Sequence, residues 1–80
     1  MEGHSRTSSN LIKRSIVIRG HKTSISLENI FWDALKSIAL ERHQSISALV
    51  AKIEQDRESS NLSSATRVFV LHHFKELAAA

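Results

Sequence analysis

Polar and apolar residues alternate from Thr23 to Leu27, with Ile25 and Leu27 on one face and Ser24 and Ser26 on the other. A period of two is that of a half-buried strand. From Ile30 the period lengthens. Ile30, Phe31, Ala34, Leu35, Ile38 and Ala39 recur at helical spacing, which predicts a first helix from about Asn29 to Arg42. Asn29 is its expected N-cap. After a short break at Arg42-His43-Gln44, Ile46, Leu49, Val50 and Ile53 mark a second helix. It is entered through Ser45-Ile46-Ser47, with Ser45 as the expected cap. A polar stretch from Arg57 to Asn61 precedes a third helix, expected from Leu62 to about Leu77. Its apolar set is Leu62, Ala65, Val68, Phe69, Leu71 and Phe74, widened by Val70. Ahead of all this, Leu11 to Arg19 is a second strand candidate. Ile16 and Ile18 point one way, and Ser15, Val17 and Arg19 point the other. The Gly20-His21 junction leaves two forms open, a hairpin or a strand kinked at Gly20.

Three local features go beyond periodicity: Lys22-Thr23-Ser24-Ile25-Ser26-Leu27, the Glu28-Asn29 opening of the first helix, and the Ser-Ile-Ser start of the second. Together they resemble the ribbon-helix-helix family of bacterial DNA-binding proteins, over Lys22 to about Gln55. The stretches Lys13 to Glu28 and Asn61 to Phe74 are similar to a subgroup with an N-terminal extension and a third helix. The resemblance implies a mostly α fold with a short N-terminal β-ribbon, an additional C-terminal helix, and an intertwined homodimer whose strands pair between subunits. It implies that the ribbon enters the major groove. Lys22, Ser24 and Ser26 would then read base edges, and Ser45 and Ser47 would hold a phosphate at the second helix's N-terminus. Arg14 and Arg19 are expected as further phosphate contacts. Ile25, Leu27, Leu35, Ile38, Ile46, Leu49, Val50 and Ile53 form the expected dimer core.

Composition sharpens this picture at a few points. Eighty residues make one domain, expected over 13–77, with a disordered basic arm at 1–12 and a short tail at 78–80. With no cysteine, no disulfide supplements so small a core. A lone short strand needs a partner, so a homodimer is expected. Charge is uneven. Residues 1–22 carry Arg6, Lys13, Arg14, Arg19 and Lys22 against Glu2 alone, which favours a nucleic-acid partner at that end.

If Arg14 to Arg19 folds back on the ribbon strand, a dimer would carry four strands, spanning roughly 14 Å at the ordinary strand spacing. The major groove is about 12 Å wide. An alternative function follows from that geometry. It is a protein-interaction or antitoxin-like dimer module whose ribbon is covered by the N-terminal strand and whose third helix binds a protein partner. Catalysis is not expected, since no Gly-rich phosphate loop, Cys-His pair or Ser-His-Asp arrangement stands out. No cofactor or metal is expected either. His72 and His73 diverge by about 100° on a helix and do not share one ion. No apolar run reaches the ~18 residues of a membrane span, and no signal-like apolar region leads the chain, so a cytoplasmic location is expected.

Overall fold

The computed structural model describes residues 10–57 and 61–80. Two strands, β1 (Leu11–Ile18) and β2 (His21–Glu28), lead into α1 (Asn29–Glu41), α2 (Ile46–Asp56) and α3 (Leu62–Ala79). β1 takes in Leu11 and Ile12, the last two residues of the expected arm, and residues 1–9 of that arm lie outside the described residues. α3 takes in Ala78 and Ala79 of the expected tail.

Of the two forms left open at Gly20, the chain adopts the hairpin. β1 and β2 pair antiparallel from Leu11↔Glu28 to Ile18↔His21. Arg19 and Gly20 make the turn with φ of 50° and 83°, both positive. A two-residue turn with two left-handed positions matches the twist of the strands it joins, and glycine suits its second position. The hairpin is therefore formed within one chain.

Register decides what each face does. Ile16 and Ile18 of β1 and Ile25 and Leu27 of β2 are buried on the inner face. They pack on Leu35, Ile38 and Ala39 of α1 and on Leu49, Val50 and Ile53 of α2, with Val70 of α3 closing the core. Of the residues expected at a dimer core, all but Ile46 are buried in the single chain, and Ile46 is half-buried against the same cluster.

The helix boundaries have local causes. α1 leaves through a left-handed His43 (φ 58°), with the Gln44 N–H on the Ala39 carbonyl at 2.9 Å and the His43 N–H on Leu40 at 3.1 Å. These two bonds satisfy carbonyls that the helix end would leave bare. Ser45 caps α2 by accepting the Ala48 N–H at 3.0 Å, and Asn61 caps α3 by accepting the Ser64 N–H at 3.1 Å. The start of α1 differs from expectation. Glu28 holds the N-cap position without a side-chain cap bond, and Asn29 is the first helical residue. The Asn29 side-chain oxygen instead accepts the Arg14 Nη2 at 3.0 Å. A partner on the neighbouring strand has taken the group that capping would use.

α3 runs beside α1 in the same direction. Arg67 meets Glu28 near the start of α1, and His73 meets Glu41 at its end (3.3 Å). Arg67 and Arg42 lie over the rings of Phe31 and Phe69. Only part of α3's wide apolar set is used. Leu62, Ala65 and Phe69 pack on the core, whereas Val68, Leu71, Phe74 and Leu77 stay exposed. Among the described residues, no helix is long and apolar enough to cross a membrane.

Candidate nucleic-acid interface

Strand alternation gives the hairpin an outer face, turned away from the helices. Lys22 and Ser24 are exposed on it, and Ser26 is half-buried. The opposite strand adds to the same face, because directly paired residues point the same way. Lys13 pairs with Ser26, Ser15 with Ser24 and Val17 with Lys22, and all three β1 residues are exposed. The three expected base readers are thus together, flanked by Lys13, Ser15 and Val17. Lys13 and Ser15 were not among the expected site residues. The alternation of Leu11 to Arg19 already put Ser15 on a separate face from Ile16 and Ile18. What the alternation lacked was the pairing partner.

The outer face carries one acidic residue among the described positions, Glu28 at its far end. Glu28 is tied to Arg67, whose Nε donates to Oε1 at 3.0 Å. The Glu28 carboxyl is held below the ordinary glutamate value, first by its own backbone N–H and then by the Arg67 guanidinium. The face is therefore cationic along Lys13 and Lys22, with its carboxylate engaged at one end.

The two arginines sit differently. Arg14 is on the inner side. Its guanidinium stacks 4.5 Å from the Trp32 ring centre and donates to Asn29, while its Nη1 is buried with no hydrogen-bond partner among the described residues. This is a packing position at the edge of the core. Arg19, at the tip of the turn, is paired with Glu54 in the last part of α2 and keeps over half of its side chain exposed (55%). Ser45 and Ser47 stand at the other end of α2, roughly 14 Å from Glu54 along the helix axis. Ser45 is exposed, Ser47 is half-buried, and the Ser45 hydroxyl is occupied as a cap.

The outer edge of β2 is partly closed. The Ser26 N–H points away from β1 and donates to the Ser63 hydroxyl at 3.1 Å, which brings the first turn of α3 against that edge. Among the described residues no group of histidines, cysteines or carboxylates is placed to hold a metal ion.

The family model described as "Ribbon-helix-helix domain" matches residues 11–74. Among solved structures, the chain is similar to an uncharacterized protein from Bordetella pertussis Tohama I. The TM-score is 0.76 and the identity 28%, over 92% of this chain and 63% of that one. The chain thus spans less than two thirds of the solved protein's length. No curated protein matches it.

Proposed function

The chain belongs to the ribbon-helix-helix family, and we propose that it is a homodimeric, sequence-specific DNA-binding regulator of transcription. In this reading it acts in the cytoplasm and lays the outer face of its ribbon in the major groove. The observation that carries the reading is that face: Lys13, Ser15, Lys22 and Ser24 exposed together, with Glu28 drawn aside by Arg67. A lysine donates to guanine O6 and N7, and a serine hydroxyl donates or accepts. Two strands lie about 4.8 Å apart, which the ~12 Å groove accommodates. Addition of a twin strand to β2, giving four strands, would have to displace Ser63 from the Ser26 N–H. Pairing along the edge leaves the β2 reading face uncovered.

Phosphate attraction falls to the exposed cations of the face and to Arg19, which would exchange Glu54 for a phosphate oxygen. Ser45 and Ser47 add the free amides at the start of α2. The second copy is assigned to the exposed apolar residues Ile30 of α1 and Val68, Leu71 and Phe74 of α3. A contiguous apolar surface of this kind marks an interface in a small chain. A second reading, a partner of another sequence on the same apolar surface, is favoured by the same residues and differs in its solution mass.

The test is a titration with random-sequence duplex at two salt concentrations, together with the mass in solution. Tight binding that falls steeply with salt is expected, with a dimeric mass. Absence of binding even at low salt would sink the DNA reading and leave the protein-partner reading.

A further inference from the structure

The seam between α2 and α3 is not closed along its whole length. Leu62, Ala65 and Phe69 of α3 pack on the core. Beside them, between the last turns of α2 and the first half of α3, a recess of about 490 Å³ remains. Its apolar lining is Ile53 of α2 with Ala65, Val68 and Phe69 of α3. Ile53 is buried and forms a fixed floor, whereas Val68 is more than half exposed at the mouth. Residues 65, 68, 69 and 72 share one face of α3 by their spacing of three and four, so His72 continues the stripe that borders the recess. Ala65 adds only a methyl group to that stripe, and the seam stays open there.

The rim of the recess is polar. Lys52 and Asp56 come from α2, Arg57 from the position just beyond it, and Ser64 and His72 from α3. Lys52 and Arg57 outnumber Asp56, so the rim is net positive with His72 neutral. The Lys52–Asp56 pair is 3.5 Å long, with side chains 63% and 64% exposed. An exposed pair of that kind contributes little, so Lys52 exchanges Asp56 for another carboxylate with little loss. The groove between α1 and α3 is different. Its one charged lining side chain, Arg67, is already engaged by Glu28. That groove has no spare polar group to orient an occupant. The α2–α3 recess combines an apolar floor with convergent polar groups in a volume within the ~300–1,000 Å³ of small-molecule sites.

We propose that the α2–α3 recess binds a small organic acid with an apolar, ring-sized body. The body lies on Ile53, Val68 and Phe69, and the carboxylate meets Lys52 at the rim. Each half of the site argues for one half of the ligand. An inorganic anion would leave the apolar floor wet, and burying that floor is the larger source of affinity. A neutral apolar molecule would make no use of the positive rim, and a cation would be repelled by it. A carboxylate gains a charge-assisted hydrogen bond from the lysine ammonium. The site does not depend on the DNA-binding reading, because it lies outside the outer face of the ribbon and shares no residue with it.

The experiment titrates the isotope-labelled full chain with cinnamate and with its uncharged analogue cinnamamide, following backbone amides by NMR. Saturable shifts are expected at Ile53, Ala65, Phe69 and His72, with cinnamate bound about fivefold more tightly than cinnamamide. Lys52→Glu should bring cinnamate down to the affinity of cinnamamide or below it and leave cinnamamide unchanged. The unchanged cinnamamide affinity, with a thermal melt, shows that the variant keeps its fold. Three results overturn the proposal. Equal affinity of the wild type for both probes makes the recess an apolar hollow with no preference for an acid. Shifts centred on Ile30, Ala34 and Leu71 put the probe in the groove between α1 and α3. No shift from either probe at millimolar concentration means that the recess takes no such ligand.

Discussion

At the scale of single residues, the clearest departure from ordinary backbone is His43. A helix that must stop and turn within three residues needs a left-handed position, and the sequence supplies histidine at that point. A β-carbon there costs on the order of 1 kcal/mol. Glycine removes that strain but gives back part of it by loosening the unfolded chain. His43→Gly is therefore expected to raise the melting temperature by about 2–4 °C, read by circular dichroism. A lower value would mean that the imidazole makes a stabilising contact. The position was legible in the sequence, because the helical period breaks there and no glycine is present. The place of Arg14 was less so. Its charge marks it as a candidate for phosphate, but strand parity puts it on the inner side, against Trp32 and Asn29. Parity from Ile16 and Ile18 gives that side. The stack on Trp32 depends on how α1 crosses the hairpin, which no local pattern encodes.

Between elements, α3 is locked to the end of β2 by the Glu28–Arg67 pair and by Ser63 on the Ser26 N–H. A carboxyl whose folded pKa is lowered adds stability above its ordinary value and loses it as pH falls through the folded value. For Glu28 the contribution is complete above about pH 4.5 and fades below it. The wild type should therefore melt above Glu28→Gln by a constant margin from about pH 7 to pH 5. The margin should shrink toward pH 3. An unchanged margin at pH 3 would show that the carboxyl titrates as it does in the unfolded chain. The two helix caps, Ser45 and Asn61, follow from residue type and from the apolar run after each. Asn29 looked equally suited from the sequence. It lost that role because β1 folds back and offers Arg14, a contact across fifteen residues.

For the whole molecule, the question is what covers α3. All but Ile46 of the residues expected to meet a second chain are already buried inside one, and Val68 and Leu71 are more than half exposed (53% and 58%). If a second copy sits there, Leu71→Glu should reduce the solution mass from two chains to one. The melting temperature at low concentration should change little, because more than half of the side chain is already exposed in the single chain. A wild type that is already a single chain at micromolar concentration would remove the second copy and favour a partner of another sequence.

Amphipathic period, turn residues and caps placed the two strands and three helices, because those signals act over a few residues and survive without any partner. The same alternation separated the outer face of β2 from its inner one. The choice between a hairpin and a kinked strand lay beyond it. Arg19-Gly20 permits the turn, but the burial of Ile16 and Ile18, with α2 packed against β1, is what holds β1 beside β2. That single long-range decision brings Lys13 and Ser15 onto the candidate reading face. It also buries all but Ile46 of the expected dimer core within one chain and leaves the outer side of α3 exposed. Local sequence states which residues are free to face solvent. Which exposed residues end up side by side is set by packing between segments far apart in the chain.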